Sequence, residues 1–229
     1  MTSSGRAILP ASHLPPPPRA REELVRVSHH GETVTDEFAW LRDPGYPHVE
    51  TPEILDYLKA ENAYYDAALA PYADLTERLF QEMKGRIRED DESVPFREGD
   101  WLYQWRFAGG AQYRKWFRRP ADGSGDWVCF LDEPALAEGL AFFRLGGFSV
   151  SPDGRLLAWS VDTDGSERFT LHMRDIESGE AIDAPIADTL GAPVWSENGQ
   201  HVLYRPVNSS WRPFAVRAHR LGTPPTEDA

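Results

Sequence analysis

The sequence predicts a mainly β protein with an N-terminal α-helical arm, its β region forming a partial β-propeller. Three observations carry this expectation. Apolar residues recur at helical spacing as far as about residue 84 and at strict alternation from about residue 94. A unit of strand, glycine turn and strand then returns after 45 residues. With 229 residues, 41% of them hydrophobic and 12% aromatic, the chain has enough apolar matter for one large core or two modest ones.

Residues 1–21 are expected to be a disordered, Pro-rich tail. They end close after Pro15-Pro16-Pro17-Pro18, whose fixed φ and missing amide hydrogens favour an extended, solvated chain. Residues 22–93 read as the helical arm. Thr51 can cap a helix with Pro52 in its first position, and Leu55, Leu58, Tyr65 and Leu69 follow at helical spacing to a stop before Pro71. A second helix is expected to start at Asp74, with Glu77 completing a capping box and Leu75, Leu79 and Met83 forming one apolar stripe before Gly85.

Residues 94–229 read as roughly three blades of the propeller. In Trp101–Phe107 the aromatics take alternate positions, so one face is expected to be buried while the other carries Gln104 and Arg106. Gly109-Gly110 turns the chain into a second strand over Tyr113 to Arg119. Ser151-Pro152-Asp153-Gly154 leads into Leu156–Trp159, and Ser196-Glu197-Asn198-Gly199 leads into Val202–Tyr204, so Gly154 aligns with Gly199. Both turns end on a glycine that can take positive φ and open a strand that reads as apolar on both faces. A further strand follows each, with Phe169, Leu171 and Met173 on one face of the first copy and Phe214, Val216 and Ala218 on one face of the second. The alternative is a single β-sandwich with repeated turn chemistry; strands buried on both faces suit stacked blades better.

Charge and cysteine narrow the function classes. Twenty-four Lys and Arg against 37 Asp and Glu give −13, which repels phosphate backbones and anionic headgroups, so no nucleic acid and no membrane partner is expected. Cys129 is the single cysteine, which forbids an intrachain disulfide and fits a reducing, cytoplasmic compartment. The first twenty residues hold no apolar run of signal-peptide or membrane-spanning length.

No side chain qualifies as catalytic. A serine hydrolase elbow reads G-x-S-x-G, and Ser149 in Gly147-Phe148-Ser149-Val150-Ser151 has serine in place of the last glycine and enters a strand rather than a helix. His29-His30 are adjacent, so on an extended segment they point apart, and they read as surface or turn histidines. Glu89-Asp90-Asp91-Glu92 lacks the alternate spacing and glycine of a calcium loop and reads as a solvated hinge. The expectation is therefore no catalytic, cofactor-binding or metal-binding residue, and no cofactor.

Several runs resemble the prolyl oligopeptidase family of serine peptidases, and within it the oligopeptidase B group. Asp36-Glu37-Phe38-Ala39-Trp40-Leu41-Arg42-Asp43 resembles the family's Asp-Pro-Tyr-x-Trp-Leu segment, with Glu37 in place of the proline. Tyr57-Leu58, Glu61-Asn62 and Tyr64 resemble the helix that follows. The run from Leu79 to Pro95 is similar almost throughout, as are Ser151–Gly154 and His219–Thr223.

The resemblance spans about residues 22–223. It implies an N-terminal helical segment that packs on a C-terminal α/β-hydrolase domain, with a seven-bladed propeller lying over the active site. This chain then holds the arm and the first blades, with the catalytic α/β-hydrolase domain absent. The implied partners are that missing peptidase domain and, in the complete enzyme, short basic peptides cleaved after Arg or Lys. Alone, the chain is expected to be inactive; the alternative is a non-catalytic, propeller-type protein-binding module.

Overall fold

A computed structural model describes residues 14–46 and 48–229, which divide into one unit up to Ile87 and another from Arg88. Of the proline-rich tail, residues 1–13 lie outside the described residues, and 14–20 carry no regular secondary structure.

The first unit opens with a hairpin that the helical reading of residues 22–93 does not contain. Strand β1, Val25–His29, pairs with β2, Glu32–Asp36, through a two-residue loop. His30 and Gly31 both take positive φ, 52° and 84°, as a tight turn matched to strand twist requires. His29 and His30 thus do not share an extended segment: His29 ends a strand and His30 makes its turn.

The first helix, α1, runs Pro52–Leu69 as expected, with Pro52 in its first turn. The Thr51 side chain makes no capping bond. Asp43 organises this end instead, its carboxylate accepting the amides of Gly45, Glu50 and Thr51 at 2.7, 2.9 and 2.8 Å. Trp40 fixes the other side. Its indole donates to the Arg21 carbonyl at 2.7 Å and meets Tyr57 of α1 edge-on, while Arg21 lies over the indole and pairs with Glu53. Ile54 is the residue of α1 that is buried.

Pro71 ends α1 without separating the helices. One 3-10 turn, Ala70–Tyr72, passes straight into α2, Ala73–Lys84. This continuity places Asp74 inside the first turn, so the capping box at Asp74 and Glu77 does not form, and Glu77 accepts from Gln81 one turn on. The stripe of Leu75, Leu79 and Met83 exists but stays 39%, 46% and 59% exposed.

The second unit is three antiparallel meanders, each with its strands in chain order. The first joins β3 (Phe96–Glu98), β4 (Trp101–Arg106), β5 (Lys115–Pro120) and β6 (Val128–Asp132). A short helix, α3 (Glu133–Ala137), follows, capped by Asp132 accepting from the Ala135 amide. The second sheet holds β7 (Arg144–Val150), β8 (Leu156–Asp162), β9 (Phe169–Asp175) and β10 (Ile186–Thr189). The third holds β11 (Val194–Trp195), β12 (His201–Tyr204) and β13 (Arg217–Arg220). Ala229 then exchanges both backbone hydrogen bonds with Ala218 of β13.

The middle sheet is packed on both faces, which is why the start of β8 reads as apolar on both faces. Leu157, Trp159 and Val161 join Tyr103, Phe130 and Leu131 of the first sheet in one core. Ala158, with Leu171 and Met173 of β9, joins Trp195, Val202 and Tyr204 of the third sheet in the other. Face-to-face stacking of successive short meanders is blade packing rather than a two-layer sandwich.

Three strand expectations need correction. Gln104 is buried rather than wet, because Asp91–Ser93 runs beside β4 and the Ser93 carbonyl accepts its amide at 2.8 Å. That pairing also draws Asp91 and Glu92 out of the solvated hinge, Glu92 bridging to Arg106. In β12 only Val202 and Tyr204 are buried, so it is one-faced. Phe214 and Val216 lie outside β13 and are exposed, since the Val207 to Pro213 bridge holds that stretch in a loop of its own.

Candidate functional site

The turns that join the first and second strands of the sheets border a concavity of the second unit. At Ser151–Gly154 the Ser151 hydroxyl donates to Asp153 Oδ1 at 2.5 Å and accepts the Leu156 amide at 2.9 Å. The Asp153 carboxylate also takes the Arg155 amide, and these donors hold it below the ordinary carboxylate range. Ser196, Asn198, Gln200 and His201 repeat the same bonds at the next turn. Gly154 and Gly199 sit at φ 74° and 66°, the region glycine enters without strain.

A third copy, Glu98-Gly99-Asp100-Trp101, escapes a search for the Ser-x-Asp/Asn-Gly pattern because no serine precedes it. Its Gly99 has φ 57°. The signal available in the sequence is the glycine followed by an aromatic strand, Trp101-Leu102-Tyr103, like Leu156–Trp159 after Gly154.

Between the turns at Gly99 and Ser151–Asp153 and strand β11 lies a cavity of about 500 Å³. Trp101, Tyr103 and Trp195 supply aromatic walls, and Glu98, Asp100 and Asp153 supply carboxylates. Arg118 occupies one side of Trp101, its guanidinium 4.1 Å from the ring centroid and bonded to the Gly154 carbonyl. Burial pulls this guanidinium below its usual basicity. Such a lining can hold a cationic or flat apolar group without covalent chemistry.

Ser149 lines the cavity on β7, where its carbonyl accepts the Trp195 indole N–H at 2.9 Å. No histidine is among the lining residues. A His–Asp contact of the kind that orients a catalytic base does form at His219, but the ring is fully buried and its partners are Asp228 and Asp183, with no serine hydroxyl among them. Among the described residues, no three His, Cys, Asp or Glu side chains group to hold a metal ion. Among them too, no helix is long and apolar enough to cross a membrane.

The family model described as prolyl oligopeptidase, N-terminal β-propeller domain, matches residues 17–229. The chain belongs to the prolyl oligopeptidase family. Dipeptidyl aminopeptidase BI of Pseudoxanthomonas mexicana is 35% identical over 245 aligned residues, covering 100% of this chain and 33% of that protein. Protease 2 of Moraxella lacunata is 28% identical, covering 85% of this chain and 28% of its own length.

Among solved structures, oligopeptidase B from Leishmania major superposes with a TM-score of 0.79 at 27% identity, over 93% of this chain and 32% of that one. Oligopeptidase B from Trypanosoma brucei, with covalently bound antipain, gives 0.77 at 30% identity over 92% and 31%. The chain therefore spans about a third of the length of the family members it matches. The match bears out a mainly β chain with an N-terminal helical part that carries part of a propeller.

Proposed function

We propose that this chain is the lid-forming N-terminal part of a serine oligopeptidase that cleaves short peptides after Arg or Lys. The single observation that carries the reading is the superposition on oligopeptidase B over 93% of the chain with a TM-score of 0.79. In this reading the stacked sheets restrict entry to short, unfolded peptides, and a Ser-His-Asp triad outside these residues performs acyl transfer. The acidic, aromatic cavity at the blade turns is compatible with cationic peptides passing over it. Taken alone, the chain binds no substrate covalently and turns none over.

The test uses the product of the whole gene. It should hydrolyse short peptides with Arg or Lys before the scissile bond, leave the same sequence uncut inside a folded protein, and be silenced by a serine-directed phosphonate. Equal rates on neutral residues, or efficient cleavage of folded proteins, would overturn the specificity and the lid respectively.

A second reading has its own support in the 35% identity to dipeptidyl aminopeptidase BI along the whole chain. It makes the enzyme an exopeptidase that releases dipeptides. Peptides with a blocked amino terminus separate the two: an endopeptidase cuts them, and a dipeptidyl aminopeptidase does not.

A further inference from the structure

His219 on β13 is buried at both ring nitrogens between two carboxylates of different origin. Nδ1 lies 2.8 Å from Asp228 Oδ1 and Nε2 lies 3.4 Å from Asp183 Oδ2. Asp228 follows the 3-10 turn Pro225–Glu227 and also accepts the Tyr204 hydroxyl of β12 at 2.7 Å. Asp183 belongs to the loop between β9 and β10 of the second sheet, and it accepts the Gly222 amide as well.

Charge balance decides what the ring must carry. The Asp228 side chain is 0% exposed and that of Asp183 10%, so two carboxyl groups share a site that water scarcely reaches. Arg217 donates to the backbone carbonyl of Asp228 at 3.1 Å rather than to its carboxylate. Tyr204 offers no charge, its ionisation pushed up by burial and by Asp228. A neutral imidazole has one N–H and can serve only one of the two carboxylates, whereas an imidazolium serves both.

We propose that His219 is held as an imidazolium donating from both ring nitrogens, and that its proton ties the β9–β10 loop of the second sheet to β13 of the third. Loss of the proton leaves one N–H, which stays with the nearer carboxylate of Asp228, and Asp183 loses its partner on the ring. The tie is therefore present at lower pH and is released as pH rises. Its consequence is a proton-controlled joint between two neighbouring blades.

The test is long-range proton–nitrogen spectroscopy on the full chain labelled in its histidines. At about pH 7.5 an unperturbed imidazole of pKa about 6.5 is about one-tenth protonated. His219 should show both nitrogens protonated there. Asp183→Asn should shift the His219 signals toward the single-proton form. His219→Gln assigns the signals by their loss, and if that variant does not fold, the Asp183→Asn shift assigns them. Hydrogen exchange at residues 183–190 should quicken by about tenfold once pH is raised enough to remove the doubly protonated signature. A single-proton pattern at about pH 7.5, or exchange at 183–190 that ignores the loss of that signature, would overturn the proposal.

Discussion

Trp195 on β11 donates its indole N–H to the carbonyl of Ser149 on β7 across 2.9 Å, a bond that joins the first strands of two successive sheets. Trp195 is also 7% exposed within the core shared by the second and third sheets. Trp195→Phe should keep most of that packing and lose the bond, destabilising the chain by about 1 kcal/mol, whereas Trp195→Ala should cost about 3–5 kcal/mol. Urea unfolding followed by circular dichroism separates the two. A Trp195→Phe variant as stable as the parent would mean the indole nitrogen contributes nothing.

Gly154 and Gly199 are equivalent in conformation but not in surroundings. A Cβ at Gly154 runs into the indole of Trp101, while at Gly199 the nearest atom is Pro152 at 3.9 Å. Gly199→Ala should therefore cost only the left-handed strain, about 1 kcal/mol, and Gly154→Ala about 2–4 kcal/mol because the first sheet must also shift. Denaturation midpoints of the two variants give the comparison, and similar losses would argue against the stacking of successive turns.

Three backbone amides hold the Asp43 carboxylate at a pKa of about 2, led by those of Thr51 and Gly45. A depressed folded pKa stabilises the fold above the unfolded value, about 3.9, and that contribution disappears as pH falls toward 2. The helical signal at 222 nm should thus melt at lower temperature as pH drops through this window. Asp43→Asn should be less stable at neutral pH and should lose that part of the acid dependence. An unchanged acid profile in the variant would remove Asp43 from the account.

Glu133 has the opposite sign. Burial pushes its carboxyl up, opposed by the Trp116 indole, which donates to it at 2.8 Å, and by Arg114. A raised folded pKa means this group favours the fold at low pH and works against it as pH climbs past the ordinary carboxylate value. Glu133→Gln keeps an oxygen for Trp116 and should flatten the decline in stability between about pH 4 and 7. Thermal melts across that range are the check; a steeper decline in the variant would reverse the assignment.

The chain by itself should not hydrolyse an Arg peptide ester above background, and a serine-directed phosphonate should leave its mass unchanged. An adduct on Ser149 would contradict its placement in a strand with its carbonyl engaged by Trp195.

The parts of the fold most legible in the sequence are those governed by local rules. Pro52 and Pro71 bracket α1, and Gly154 and Gly199 announce their turns, because proline and glycine act through the backbone alone. Alternation in Phe169, Leu171 and Met173 was legible because one side of β9 meets a single neighbour. What stayed hidden depends on distant partners. Gln104 is buried by the Ser93 segment, and no periodicity reveals that a polar side chain will find a carbonyl eleven residues back. The β1–β2 hairpin hides because His30-Gly31 lacks the usual Asn-Gly signature and Val27 and Val34 stay exposed. The cavity at the blade turns escaped because its third turn, at Gly99, lacks the serine of the other two.

Strand β8 is a partition wall seven residues long, with a different core resting on either side. Nothing that breaks it can stay local: a cut there opens both neighbouring compartments together. Limited proteolysis should accordingly spare Leu156–Asp162 and nick the loops between blades first, and the middle blade can peel away only by dragging both companions out of register with it.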